Sequence, residues 1–248
     1  MRTTVIILAA GQGKRLGTPM PKVLALVGGR PMVAWVVDAV LKSGVTDRPV
    51  VVVGIGADTV RAALGDGCDY VIQEQQLGTG HAVACARAAV EHRADTVLVL
   101  YGDMPLVTAS TIQRLVSVHA ANTAVLTMAT VTVPDFADWR QSFASFGRIV
   151  RDAAGNLQRI VEVRDATPRE LTIREVNPSL FCFRAAWLWP ALRQLTNRNA
   201  QGEYYLTGLL ALAMSQGQRV ESLPIEPREA MGVNNAQQLE VIRQFATT

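Results

Sequence analysis

Clustered cysteine, long apolar runs and an excess of charge of one sign are all scarce in this chain of 248 residues. Lys and Arg number 24 against 21 Asp and Glu, a net charge of only +3, and no dense Lys/Arg run interleaved with aromatics occurs. That balance excludes an extended nucleic-acid surface, whereas a small anionic ligand needs only a few placed cations. The three cysteines, Cys68, Cys85 and Cys182, form no C-x-x-C pair, which argues against a zinc cluster and a disulfide framework. They read as small hydrophobes. No apolar run reaches the ~20 residues of a membrane helix, and the amino terminus enters an apolar strand with no cationic leader. There is no internal repeat and no low-complexity linker. The expectation is a cytoplasmic protein without membrane or nucleic-acid partners. With 49% hydrophobic and 18% charged residues, the chain has ample material for a buried core.

What is present alternates. Thr4 to Leu8 is a continuous apolar run suited to a strand buried on both faces. Val50 to Val53, Tyr70 to Ile72 and Val97 to Leu100 repeat it, and helical patterns begin near Pro31 and cover Thr59 to Leu64, Thr79 to Val90 and Ala109 to Ala121. This is the signature of βαβ units and a parallel sheet with helices on both faces. The second half changes character. Thr123 to Val133 is rich in Val and Thr, and Arg148 to Val150 and Leu157 to Val163 flank a turn at Asp152–Asn156. A strand at Leu180 to Phe183, helices near Ala185 to Leu195 and Tyr205 to Gln216, a strand at Val220 to Pro224 and a helix from about Asn235 follow. The fold class expected is α/β: a Rossmann-like, mostly parallel sheet flanked by helices, with a β-rich subregion. One domain is expected over 1–248, with a nucleotide-binding half at 1–121, a second ligand-binding half at 122–234 and a terminal helix at 235–248.

The strongest local feature is Leu8-Ala9-Ala10-Gly11-Gln12-Gly13-Lys14-Arg15-Leu16, continuing to Pro21-Lys22-Val23-Leu24. A buried strand gives way to small residues and glycines, so backbone N–H groups can approach an anion without obstruction from Cβ. Arg15 and Lys22 add cations where polyphosphate charge would lie. A P-loop is excluded because no Gly-Lys-Ser/Thr triplet exists. The dinucleotide fingerprint fails too: Leu16 stands at its third glycine, and Gly54 stands where the acidic residue after the second strand is expected.

Further motifs follow in order: Gln73 with Gln76-Leu77-Gly78-Thr79-Gly80-His81-Ala82, Tyr101-Gly102-Asp103-Met104-Pro105-Leu106, Phe146-Gly147-Arg148-Ile149, Ile160-Val161-Glu162, Glu175-Val176-Asn177, Asn199 to Thr207, and Gly232-Val233-Asn234-Asn235. The ordered set resembles the nucleotidyltransferases that activate sugar phosphates, and within them the uridylyltransferase domains of bacterial N-acetylglucosamine-1-phosphate uridylyltransferases, over nearly the whole chain. The resemblance implies that Leu8, Ala9, Ala10, Gly11, Gly13 and Lys22 hold the nucleotide with Tyr101 and Gly102. It further implies that Gln73, Gly78 and Thr79 read uracil, that Asp103 and Asn234 ligate Mg²⁺, and that Gly147, Glu162 and Asn177 contact the sugar. Its partners would be an NTP and a sugar phosphate. Pro178-Ser179 depart from the Thr-Gly common in that family, and Pro removes a backbone donor beside the sugar. The carboxy-terminal acetyltransferase repeats of the bifunctional members have no counterpart before Thr248, so no second activity is expected.

From the residues alone, Asp103 falls just past a strand end, where open α/β sheets place ligands. A carboxylate, an amide oxygen and phosphate oxygens make a donor set suited to Mg²⁺. Arg15, Lys22 and Asp103 are therefore the candidate catalytic groups. An aspartate that caps a turn, and an asparagine at Asn234 that caps the last helix, are the plain structural alternatives. His81 is expected to support a helix start, His92 and His119 to lie on helix surfaces, and Trp35, Trp187 and Trp189 to pack in the core. Asn199 to Thr207 is expected to shape the pocket. Three other functions stay open: a nucleotidyltransferase for another sugar or alditol phosphate or another NTP, an NAD-linked oxidoreductase, and a sugar-nucleotide sensor without turnover.

Overall fold

The computed structural model describes residues 1–13, 16–17 and 20–246. β1 (Thr3–Ala9) is the expected apolar strand, buried from Thr4 onward. The short pair β2 (Leu26–Val27) and β3 (Arg30–Pro31) leads into α1 (Met32–Ser43), whose Met32, Val33, Val36, Val37 and Val40 recur at helical spacing on the buried face. β4 (Val50–Val53), α2 (Ala57–Leu64), β5 (Asp69–Ile72), α3 (Thr79–Cys85), α4 (Arg87–Val90), β6 (Thr96–Tyr101) and α5 (Ala109–Ala121) follow. The single helix expected over Thr79 to Val90 is thus two. Ala86 N–H bonds back only three residues to Val83 O, tightening the turn between them.

The second half holds β7 (Leu126–Thr132), a 3-10 run at Asp138–Ser145, β8 (Arg148–Arg151), β9 (Leu157–Val161), α6 (Pro168–Leu171) and β10 (Glu175–Val176). β11 (Phe181–Arg184), α7 (Ala185–Leu192), α8 (Gly208–Ser215), β12 (Val220–Pro224) and α9 (Ala236–Ala246) complete it. The β8–β9 turn forms as expected: the Asp152 carboxylate accepts from the backbone N–H groups of Ala154 and Asn156. β9 stops at Val161, so Glu162, expected on the strand, stands just beyond it. No described helix is long and apolar enough to cross a membrane.

Among the described residues the main sheet runs β5-β4-β1-β6-β11-β7-β10-β8-β9, with β12 added alongside β7. β5, β4, β1 and β6 are mutually parallel, and β12 is parallel to β7. β11 is inverted between β6 and β7, and the β10-β8-β9 ribbon is antiparallel. The chain leaves β1 in one direction to β4 and later returns on its other side at β6, so the topological switch lies between β1 and β6. Both faces are covered. Val5, Ile7 and Ala9 of β1 face a core shared with α1, α5 and α9, while Ile6 and Leu8 face one shared with α3, α7 and α8.

The histidine at 119 corrects an expectation. It is buried on α5 with Ile112 and Leu115, at i, i+3 and i+7 spacing, and its Nδ1 lies 2.9 Å from Thr127 Oγ1 on β7. Burial, with the nearby Arg184 charge adding to it, pulls its pKa down to about 4. His92 is exposed, as expected. Trp189 is buried, Trp35 and Trp187 pack against the cores, and the three cysteines are free, Cys68 and Cys182 buried and Cys85 half-buried.

Candidate active site

Strand register puts the candidate residues in a row before any side chain is considered. Leu8 pairs with Tyr101, Ala9 with Val53, and Val53 with Ile72. Each strand ends within a residue or two of that line. Ala10, Gly54, Gln73 and Gly102-Asp103 therefore emerge side by side at the carboxyl edge, at the switch point. The loop after β1 folds back on itself: Gln12 bridges Pro21 in antiparallel fashion, and Lys22 N–H reaches Gly11 O at 3.4 Å. Gly13 makes this possible, because a Cβ there would lie 2.8 Å from Met20 O. The fold-back aims Lys22 inward. Arg15, expected beside it, lies outside the described residues.

Lys22 Nζ pairs with Asp103 Oδ2 and donates to Asn234 Oδ1 at 3.0 Å. One ammonium thus meets a carboxylate from the end of β6 and an amide oxygen from just before α9. Asp103 is 8% exposed, so its charge is poorly hydrated and needs a cationic partner. The plain capping role belongs to the next residue: Asn235 Oδ1 accepts from Gln238 N–H at the first turn of α9. Asn234 is thereby left free to turn its side chain toward Lys22.

A cavity of about 240 Å³ lies on one side of this cluster, lined by Leu8, Ala10, Gly11, Gln73, Gly78 and Thr79 among others. A second, of about 250 Å³, lies on the other, lined by Gly147, Glu162, Asn177, Ser179 and Asn234 among others. Lys22, Tyr101 and Asp103 line both. Most of the residues expected to hold the nucleotide therefore line one cavity, and those expected to contact the sugar line the other. Ala9, Gly13 and Gly102 line neither. Ala9 is buried at the end of β1, Gly13 serves the fold-back, and Gly102 lets Leu8 O, Val23 and Val33 close on the end of β6.

The second cavity is also set by register. Arg148 pairs with both Val161 and Val176, so Gly147, Glu162 and Asn177, each one residue beyond, share one edge of the ribbon. Asn177 N–H bonds Gly147 O at 2.9 Å, and a Cβ on Gly147 would come 3.4 Å from Glu162 Oε2. Burial pushes the Glu162 carboxyl up and Asp165 adds to it, while the Thr207 hydroxyl, donating to Oε1 at 2.9 Å, opposes the shift. Burial likewise raises the Tyr101 phenol. Asn177 is 3% exposed, and its amide folds onto Ser179, accepting from its N–H at 2.9 Å and donating to its Oγ at 3.2 Å. That turn holds Ser179 at φ 64°, a left-handed conformation costly for a residue with a Cβ.

The first cavity is walled by a segment to which sequence reasoning gave no chemistry. Tyr204 N–H bonds Leu77 O at 2.8 Å, Gly80 N–H bonds Tyr204 O at 2.7 Å, and Leu206 N–H bonds Thr79 Oγ1 at 2.9 Å. Glu203 enters the cavity lining through this strap. The run Glu203-Tyr204-Tyr205-Leu206-Thr207 is visible as a motif, but its pairing with a segment over 120 residues away is not.

No group of three or more His, Cys, Asp or Glu side chains that could hold a metal exists among the described residues. The donor set present is one carboxylate and one amide oxygen converging on a common cation. Such a hard, oxygen-only pair fits Mg²⁺, which keeps waters and takes substrate phosphate oxygens for its remaining positions.

Comparison with known proteins places the chain among relatives. A family model described as the MobA-like NTP transferase domain matches residues 5–214. The chain is 43% identical over 235 residues to the bifunctional protein GlmU of Brevibacillus brevis, spanning 94% of this chain and 49% of that protein. It is 43% identical over 239 residues to the bifunctional protein GlmU of Heliobacterium modesticaldum, 96% of this chain and 50% of that one. The protein of the same name from Geobacter metallireducens is 43% identical over 244 residues, 97% and 50% respectively. The chain spans about half the length of these curated relatives.

Proposed function

The chain belongs to the MobA-like NTP transferase domain family, and from that membership we propose that it moves a uridylyl group from UTP to a sugar 1-phosphate, N-acetylglucosamine 1-phosphate foremost, and releases pyrophosphate. The observation that carries the reading is the pair of cavities sharing Lys22, Tyr101 and Asp103. A triphosphate seated over Gly11 and a sugar phosphate seated beside Glu162 and Asn177 would meet at the Lys22 ammonium. The sugar-phosphate oxygen attacks the α-phosphorus in line, the bond to the β-phosphate oxygen breaks, and pyrophosphate leaves. No general base is needed, since a phosphate monoester with a second pKa of about 6 is already largely dianionic at neutral pH. The difficulty is repulsion between polyanions, which the Lys22 ammonium, with backbone N–H groups at the glycine loop, would offset. Asp103 and Asn234 would hold Mg²⁺, which supplies further positive charge to the phosphates when bound. Gln73 and Gly78 line the first cavity, in keeping with the uracil reading that the motifs imply.

A grid of nucleoside triphosphates against sugar 1-phosphates, read by pyrophosphate release, tests the proposal. UTP with N-acetylglucosamine 1-phosphate is expected to give the highest kcat/KM. Release with no pair in the grid refutes transfer. One observation favours a second reading, a different sugar phosphate: Asn177 spends its amide on Ser179, in a turn where the resembling family commonly has Thr-Gly. In that case the same grid peaks in another sugar column of the UTP row.

A further inference from the structure

Gln73 follows β5 at the floor of the nucleotide cavity and is 4% exposed. Its side-chain nitrogen lies 3.1 Å from Gly78 O and 3.0 Å from His81 Nδ1. A backbone carbonyl only accepts, so the atom facing Gly78 O has to be the NH₂ group, whatever the resemblance of amide nitrogen and oxygen in outline. That settles the neighbour as well. A donating nitrogen requires a lone pair on His81 Nδ1, and so the imidazole proton resides on Nε2. The far side of the ring agrees, because Nε2 lies 3.8 Å from Cys85 Sγ, a weak acceptor one helical turn along α3.

Both N–H groups of the Gln73 amide are thus consumed by Gly78 and His81. No donor among the described residues reaches its Oε1, and it is the part of the side chain left for the cavity. The geometry points to His81 as the positioning residue that decides which nucleobase edge the site accepts: held as the Nε2–H tautomer, it fixes the Gln73 amide with its oxygen toward the ligand. Such a site takes a pyrimidine presenting a ring N–H, as uracil does at N3, and rejects cytosine, whose N3 lone pair would face the oxygen. The inference rests on the uridylyl reading and adds to it the device that orients the reader. Without an acceptor at His81 Nδ1, one buried amide proton loses its partner and the Gln73 side chain pivots to satisfy it.

The experiment compares UTP and CTP as substrates of the full chain carrying His81→Leu and His81→Asn. Asn places an oxygen acceptor near the position of Nδ1, whereas Leu removes it. His81→Leu is expected to lower the UTP-over-CTP ratio of kcat/KM about tenfold or more, chiefly through the KM for UTP, and His81→Asn to restore most of it. An unchanged ratio in His81→Leu overturns the inference, and so does an equal loss in both variants, which would assign the effect to ring volume. Imidazole ¹⁵N spectra of the unmodified protein, with His81 assigned through the Asn variant, provide a readout that needs no turnover. The Nε2–H tautomer is expected, and an Nδ1–H tautomer overturns the inference while leaving the base preference itself standing. Equal use of UTP and CTP by the unmodified protein overturns both the uridylyl reading and the selection attributed to His81.

Discussion

The Lys22 ammonium satisfies two electron-rich groups at once, and its worth differs between them. Asp103 is a carboxylate with little water around it, so losing its cation leaves a poorly solvated charge. Asn234 is neutral, and loses only one hydrogen bond. The asymmetry makes Asp103 the group through which the cluster's electrostatics act. Asp103→Asn is expected to lower kcat by roughly 10²-fold or more, with unfolding still cooperative because the sheet cores are untouched. Wild-type turnover with an unchanged response to magnesium in that variant refutes the role. At this scale much was legible in the residue order: strand end, then Gly-Asp, is readable wherever an apolar run stops. The distinction between Asn234 and Asn235 was not. Either can cap a helix on paper, and only the observed start of α9 at Ala236 assigns capping to the second and frees the first.

Among the elements, α3 illustrates how a short helix acquires its place from outside itself. It has no side-chain cap, and its N-cap residue Gly78 sits at φ 106° and ψ 176°, a conformation essentially reserved for glycine. A Cβ on Gly78 would stand 2.8 Å from both Tyr204 N and Tyr204 O. Gly78→Ala is therefore expected to cost on the order of 1–3 kcal/mol from backbone strain. By displacing the strap it should also lower kcat/KM for the triphosphate by roughly 10²-fold. Chemical denaturation and steady-state kinetics on one preparation measure both, and a variant unaffected in either discounts the strap. The long elements were readable because their periodicity is: Val50–Val53 and Val97–Leu100 are uninterrupted apolar runs, and Ala109–Ala121 carries a clear helical stripe. Two-residue strands such as β10 carry no period at all. The break at Ala86 is a choice between bonding three or four residues back, which composition does not encode. His119 reads as part of an exposed helical pattern, yet its spacing from Ile112 and Leu115 places it on the buried face of α5.

Viewed whole, the molecule joins a parallel half and an antiparallel ribbon through β11 and β7, and His119 helps clamp α5 to β7. Buried neutral in the folded chain, with a pKa of about 4, it binds a proton only after unfolding as the pH drops below its ordinary value near 6.5. Its contribution is thus fully present above pH 6.5 and is lost as pH falls toward 4, a swing of about 3 kcal/mol. His119→Gln is expected to lack that component. The stability difference between the two proteins, measured by urea unfolding from pH 7 to pH 4, should shift in the variant's favour as the pH is lowered. A difference that stays constant over that range contradicts the assignment.

The contact between Lys22 and Asn234 spans 212 positions of sequence. On a ribosome, the glycine loop emerges early, the β6 carboxylate follows, and the amide comes last of the groups around that ammonium. A growing polypeptide therefore carries the glycine loop for most of its elongation without the partner that completes the cation's surroundings. The ammonium's full set of partners exists only once the segment leading into α9 has been made.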